Sequence, residues 1–291
     1  MRAIVVRRFG VRCAAFCLSF GVRRSICAVL FAVLAFDVHA STQTPAEQYK
    51  PLVGQAGKDV VWVPTAQTLV DKMLELARVT PQDYLIDLGS GDGRLVITAA
   101  KRGTRALGIE YNPDMVELSK RAAIEAGVRD KATFMKADIF ESDFSQATVI
   151  TMFLLPELNL RLRPKILDLK PGTRIVSNTF TMDDWQADEY GSIREGCSTW
   201  CTALLWYVPA KVAGTWRLGQ GELILTQQFQ MISGTLQSGG QTAPIADGRL
   251  RGADITFTVG STHYAGHVSG NSMGGTAEPG NTAWTASRTN P

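Results

Sequence analysis

Apolar and polar positions follow two different rhythms along this chain, and the change of rhythm divides it. From residue 50 to about 209, apolar runs of strand length take turns with stretches whose apolar residues recur every three or four positions, the pattern of a parallel sheet wrapped by helices. Leu69, Val70, Met73, Leu74 and Ala77 fall on one side of a first helix, which Thr65 is placed to cap and Thr80-Pro81 to stop. Residues 84–88 read as a buried strand that glycines end at once. The alternation continues with a helix over 94–102, a strand over 106–110 and a helix over 113–126, opened by Asn112 and closed by Gly127. Strands over 132–137 and 148–154, a helix over 159–169, a fifth strand over 173–178 and at least one last strand over 201–208 complete it. Such a sheet is open and mostly parallel, and its ligand is expected at the carboxyl ends of the first strands.

Past Pro209 the helical period disappears. Trp216 and Leu218, Leu223 and Leu225, Ile255, Phe257 and Val259, and then Tyr264, Val268 and Trp284 keep to an approximate two-residue alternation punctuated by glycine, which predicts an antiparallel meander or small barrel. A faint echo of glycine followed by apolar residues near 234, 248 and 266 suggests stacked hairpins. His263 and His267 have a spacing that suits zinc on a helix, but along a strand it separates them by about 13 Å, so no metal site is expected.

At the other end, Arg2, Arg7, Arg8, Arg12, Arg23 and Arg24 precede the apolar run 25–36, with no acid before Asp37 and with Val38-His39-Ala40 after it. These are the parts of a secretory signal peptide with cleavage after Ala40, or of an uncleaved anchor that would associate the chain with a membrane. Either places the remainder in an exported, periplasmic setting. The expected organisation is therefore a leader over 1–40, an α/β domain over 41–210 and a glycine-rich antiparallel β domain over 211–291.

Composition narrows this picture only a little. With 45% hydrophobic and 20% charged residues the chain can bury a core, and a formal charge of +3, with much of the arginine excess inside the leader, predicts no nucleic-acid partner. Three of the five cysteines lie in the leader, which leaves Cys197 and Cys201. Two ordinary buried thiols and a disulfide both remain open, and a bridge requires the chain to turn there.

The candidate chemistry lies in Asp87-Leu88-Gly89-Ser90-Gly91-Asp92-Gly93-Arg94, which follows the first strand and opens a helix. Its glycines let backbone turn sharply and approach a ligand. A dinucleotide fingerprint requires glycine where Arg94 stands, and Asp87 and Asp92 put negative charge where a pyrophosphate would sit. Carboxylates favour a cation instead, and S-adenosylmethionine is a cationic nucleoside without phosphate. Glu110, ending the second strand, suits a pair of ribose hydroxyls, and Asp138, after the third, suits an adenine amine.

These segments resemble the class I S-adenosylmethionine-dependent methyltransferases over roughly residues 60–208. Asp87 to Arg94 is similar to their first motif, Gly108-Ile109-Glu110 to their ribose-binding segment and Ala137-Asp138-Ile139 to their adenine-binding segment. Val63-Pro64-Thr65 resembles a motif of the protein-lysine methyltransferases that include the mitochondrial ATP-synthase c-subunit enzyme. The resemblance implies a seven-stranded Rossmann-like sheet and S-adenosyl-L-methionine bound by Asp87, Gly89, Ser90, Gly91, Gly93, Glu110, Tyr111, Asp138 and Ile139. It further implies a methyl acceptor entering over the fourth strand.

There the chain has Thr151-Met152-Phe153-Leu154-Leu155-Pro156 rather than the Asn/Asp-Pro-Pro-Tyr of enzymes that methylate planar nitrogens. An apolar site strips water from an incoming amine and lowers its pKa, which exposes the lone pair without a dedicated base. A protein lysine is the first acceptor class, and a small molecule or lipid headgroup the second. Glu157, Asp183 and Asp184 read as exposed acids, Trp185 as a channel or packing residue, and no catalytic residue is assigned. An exported binding protein with a silent methyltransferase fold is the alternative, because the cofactor is made in the cytoplasm.

Overall fold

The computed structural model describes residues 49–289, so the expected leader lies outside the described residues. The α/β part comprises α1 (Gln67–Leu76), β1 (Tyr84–Leu88), α2 (Arg94–Lys101), β2 (Arg105–Glu110), α3 (Pro113–Glu125), β3 (Ala132–Lys136), β4 (Val149–Met152), α4 (Pro156–Leu167), β5 (Arg174–Asn178), β6 (Glu189–Ser192) and β7 (Thr202–Tyr207). The strands form one sheet in the order β3-β2-β1-β4-β5-β7-β6. Neighbours from β3 through β5 pair in parallel, and β7 runs antiparallel to both β5 and β6. Chain order reverses between β1 and β4, so a crevice opens beyond their carboxyl ends, where ligands of such sheets bind.

The buried strands make this sheet legible: β1 hides four of its five residues and β4 all four, in mostly apolar runs whose polar exceptions, Asp87 and Thr151, hydrogen-bond each other. Leu69, Val70, Met73 and Leu74 pack α1 on one face of the sheet, while Ile86, Met152, Ile166 and Trp206 belong to the core on the other.

Three boundaries depart from the sequence pattern. Thr65 does not cap α1; Ala66 precedes the helix, and the Thr65 hydroxyl instead accepts a hydrogen bond from Asn178 Nδ2 at 3.3 Å. The helix ends at Leu76, before Thr80-Pro81, because Arg78 takes a left-handed φ of 50°. Helix α4 starts at Pro156 rather than 159, since proline at the first helical position lacks only an amide hydrogen that has no partner there anyway. Strand β6 escapes a sequence reading because its four residues are half-buried or exposed and carry no apolar run.

Eight further strands follow: β8 (Gly214–Leu218), β9 (Gly221–Gln228), β10 (Met231–Ser238), β11 (Gln241–Arg251), β12 (Asp254–Val259), β13 (Thr262–Ser269), β14 (Ser272–Glu278) and β15 (Thr282–Arg288). Each pairs antiparallel with the next, and β15 pairs with β8 to close a barrel. Closure removes the exposed edges that an open meander would present. Inward positions carry Trp216, Leu223, Leu225, Ile255, Phe257 and Trp284, so the barrel is filled by side chains. Gly266 makes room for this filling: a Cβ there would stand 2.6 Å from the Trp284 ring.

Barrel and sheet meet along a tight seam. Trp185, fully buried, stacks on Phe229 at 5.8 Å and lies 6.2 Å from Trp206, whose indole N–H donates to the Trp185 carbonyl at 2.8 Å. Gln230 Nε2 donates to the Gln186 carbonyl at 2.8 Å, and Arg249 pairs with the Asp188 carboxylate at 2.7 Å. Arg251 pairs with Glu189 at the start of β6. Cys197 and Cys201 form a disulfide with their Cα atoms 5.8 Å apart, because the segment between β6 and β7 turns rather than extends.

Candidate functional site

The turn after β1 is held by backbone. The amides of Gly89 and Ser90 both donate to the Ile109 carbonyl on β2, at 2.9 and 3.0 Å, and the Gly93 amide donates to Ser90 at 2.9 Å. Gly89, Gly91 and Gly93 have φ of 79°, 54° and 79°, the left-handed region that glycine enters without steric cost. Side chains then converge on the crevice. Asp87, 6% exposed, accepts a hydrogen bond from the Thr151 hydroxyl of β4 at 2.7 Å. Burial, reinforced by the neighbouring Glu110 and Asp92 carboxylates, pushes its pKa up to about 7 despite that bond. Both oxygens of Glu110 are fixed, one by the Gly91 amide and one by the Asn112 amide, each at 2.9 Å.

Asp87, Gly89, Ser90, Gly91, Glu110, Tyr111, Asp138 and Ile139 all line one cleft. Gly93 does not. It packs behind the turn, where a Cβ would meet the Phe134 ring at 2.7 Å and Ser119 at 2.8 Å, so its role is to let α2 approach β3. Two of the acids already have a cation of the chain itself: Asp92 is gripped by Arg94 at 2.6 Å, and Asp138 by Lys58. The Lys58 bond is the main reason that the Asp138 carboxyl lies below its usual range and the Lys58 ammonium above its own. Among the described residues Asp87 and Glu110 have no such partner, and the Ser90 hydroxyl is buried against Gly108 without any hydrogen bond. A cationic, hydroxyl-bearing ligand fits that residual demand.

Three contributors to the cleft were not visible as site residues in the sequence. Residues 55–65 form a strap along it, in which Lys58 also lies 5.1 Å from the centre of the Tyr111 ring and Trp62 approaches Gly91 so closely that a Cβ there would meet its indole nitrogen at 2.7 Å. Phe180, after β5, stacks on Phe153 at 5.9 Å. Trp200, from the disulfide loop, meets Phe153 edge-on at 5.8 Å. Only the Val63-Pro64-Thr65 resemblance hinted at the strap. Conversely, Glu157, Asp183 and Asp184 lie outside the cleft lining, with Asp184 paired to Arg163 at 2.5 Å, and Trp185 belongs to the barrel seam. Among the described residues no group of three or more metal-ligating side chains occurs; His263 bonds Thr258, and His267 bonds Asp254.

The family profile described as ANTKMT methyltransferase domain matches residues 87–189. A protein-lysine N-methyltransferase of Saccharolobus islandicus is 42% identical over 140 residues, which cover 47% of this chain and 87% of the relative. The chain belongs to the same family of S-adenosylmethionine-dependent methyltransferases. The ATP-synthase C-subunit lysine N-methyltransferase of Mus musculus is 35% identical over 128 residues, 44% of this methyltransferase and 51% of the mouse enzyme. A solved RNA methyltransferase of Salinibacter ruber in complex with S-adenosyl-L-homocysteine is 45% identical over 52% of this methyltransferase and 96% of that chain, with a TM-score of 0.49. The matched family profile ends at residue 189, and the barrel of the methyltransferase starts at Gly214, beyond it.

Proposed function

We propose that this methyltransferase acts on the side-chain amine of lysine in a protein. The observation that supports the reading most is the junction, in one cleft, of an acid-lined turn with an apolar mouth formed by Phe153, Leu155, Phe180 and Trp200. Asp87 would neutralise the positive end of the cofactor, Glu110 would offer its remaining lone pairs to vicinal hydroxyls, and Asp138 with Ile139 would flank the base. When bound, S-adenosylmethionine supplies a methyl group activated by a sulfonium. The aromatic faces of the mouth attract the arriving ammonium, but its loss of water inside the mouth weighs more and favours the neutral form. No titratable side chain belongs to that mouth, so the proton leaves to solvent before the nitrogen lone pair attacks, and alignment contributes most of the remaining acceleration. A planar amide or base would need in-plane hydrogen-bonding partners, which this mouth lacks. The names of the Saccharolobus and mouse relatives point to the same acceptor class.

The test is to incubate the full chain with methyl-labelled cofactor and extract, then hydrolyse the protein fraction. Label in ε-N-methylated lysine is expected; label confined to lipid or small-molecule fractions would overturn the acceptor. We further propose that the chain works in an exported or membrane-anchored setting. The Cys197–Cys201 bridge supports this, since disulfides persist in oxidising compartments, whereas cytoplasmic synthesis of the cofactor pulls the other way. Sequencing the mature amino terminus checks the leader: an intact Met1 in a reducing compartment would overturn the placement.

A further inference from the structure

The hairpin of β6 and β7 carries the acceptor end of the cleft, and its construction is out of proportion to any need of the core. Strand β7 runs antiparallel to β5, pairing Ala203 with Asn178, which brings the hairpin tip to the carboxyl ends of the parallel strands, beside the cleft. The tip is tied from several sides. The disulfide closes it, the Ile193 amide donates to the Cys201 carbonyl at 3.0 Å, and the Thr179 amide of the neighbouring turn donates to the Thr202 carbonyl at 2.7 Å. Gly196 lies against Thr68 of α1, whose hydroxyl approaches the Gly196 carbonyl at 3.4 Å. At the base, Arg249 and Arg251 of the barrel hold Asp188 and Glu189.

What this scaffold presents is Trp200. Its backbone has φ of 55°, a strained conformation for a bulky residue that persists only where the surroundings impose it. The residue nevertheless keeps 40% of its surface exposed. Among the described residues its one aromatic contact is the edge-on approach to Phe153, which in turn stacks on Phe180. Aromatic faces attract a cation brought within about 6 Å and also cover an alkyl chain. Phe180 and Trp200 both line the cleft that holds the glycine turn.

Resting on the amine-acceptor reading above, we propose that Trp200, presented by the disulfide-closed tip, is a specificity-determining residue that receives the alkyl-ammonium arm of the acceptor against Phe153 and Phe180. The disulfide is its positioning device, and the barrel arginines steady the hairpin from behind. The residue type follows: Trp offers the strongest aromatic attraction for a cation, and a flexible loop would pay an ordering cost at each encounter that a bridged one has already met.

The experiment separates cofactor binding from acceptor binding without needing the natural acceptor. Two probes are titrated calorimetrically into the full chain: the cofactor analogue with an amine nitrogen in place of sulfur, and the same analogue carrying from that nitrogen an ethyl-linked butylammonium arm. A third, with ether oxygen replacing the arm's ammonium, is the neutral control. In the wild type the ammonium-armed probe should bind about tenfold tighter than the bare or ether-armed one. Trp200→Ala should remove most of that preference, Trp200→Phe should restore about half or more of it, and Cys197→Ser/Cys201→Ser should lose it while the bare probe stays within about twofold. Thermal melts of each variant confirm that it is folded. If the bare probe binds and Trp200→Ala keeps the full arm preference, this inference falls alone. If the bare probe does not bind the wild type, the cofactor reading falls and this inference with it.

Discussion

The two ends of the cleft are built in opposite ways. The acid end is local: the last residues of β1 and the turn into α2, with the last residue of β2 and those just after β3, supply it, and backbone amides fix Glu110 from both sides. The aromatic end is assembled from segments far apart in the chain, the exit of β4, the turn after β5 and a disulfide loop, with no backbone hydrogen bond joining Phe153 to Trp200. The family profile spans 87–189, which includes every acid of the first end together with Phe153 and Phe180, and stops short of Trp200. On the proposed reading, in which the acid end takes the cofactor and the aromatic end the acceptor, the two functions should separate under mutation.

The strongest way to break that separation is Asp87→Asn with Glu110→Gln. Hydrogen bonds to charged groups contribute about 1.5–3 kcal/mol each, so losing both charges should weaken cofactor binding more than about hundredfold, measured by calorimetry on the full chain. Affinity unchanged in the double variant would remove the electrostatic basis of the site. The mirror experiment is Phe153→Ala. It should leave cofactor affinity within about threefold but lower methyl transfer to a lysine-containing protein by about tenfold, the value of one desolvated aromatic contact with a cation. If Phe153→Ala cost as much cofactor affinity as the acid pair, the cleft would be one functional unit rather than two.

The same contrast explains what could be read from sequence. The acid end was legible because its residues follow buried strands in chain order, where a two-sided apolar run fixes the strand and the next few residues must turn. The resemblance gives Gly93 to the ligand, yet it packs against Phe134 and Ser119, a contact between α2, α3 and β3 that no local pattern encodes. Phe180 and Trp200 were illegible for the same reason: β6 has no apolar run, and without β6 there is no hairpin tip to place Trp200. Trp185 could be read either as a channel or as a packing residue, and only the barrel, which supplies Phe229, decides for packing. The barrel's two-residue period was plain, whereas its closure depends on β15 meeting β8, the most distant pairing in that region.

A smaller effect follows from the buried Asp87, whose pKa is about 7. Because it is raised above the ordinary value of 3.8, the folded chain without ligand binds a proton there that the unfolded chain releases, so this group's contribution to stability falls as pH rises from about 4 through 7. A cationic cofactor prefers the ionised carboxylate, so its affinity should move the other way, rising about tenfold between pH 6 and 8 and then levelling off. Asp87→Asn should flatten the profile. A wild-type affinity independent of pH in that interval would mean that Asp87 does not face the positive charge.

The least effect is expected at Lys58, and there the sign matters more than the size. Its bond to Asp138 ties the strap to the acid end, and both partners remain partly exposed, so solvent screening limits what the pair contributes. If the bond serves to close the strap over a bound base, Lys58→Met should weaken cofactor binding by up to about fivefold, mainly through faster release. If Lys58 instead competes with the base for the carboxylate, the same variant should bind more tightly. The Phe140 amide already holds one oxygen of Asp138 at 2.9 Å, so the carboxylate stays oriented without Lys58 and has lone pairs to spare. That geometry favours closure over competition. Stopped-flow release rates in Lys58→Met, faster for closure and slower for competition, decide whether the strap belongs to the local end of the cleft or is a third, movable wall.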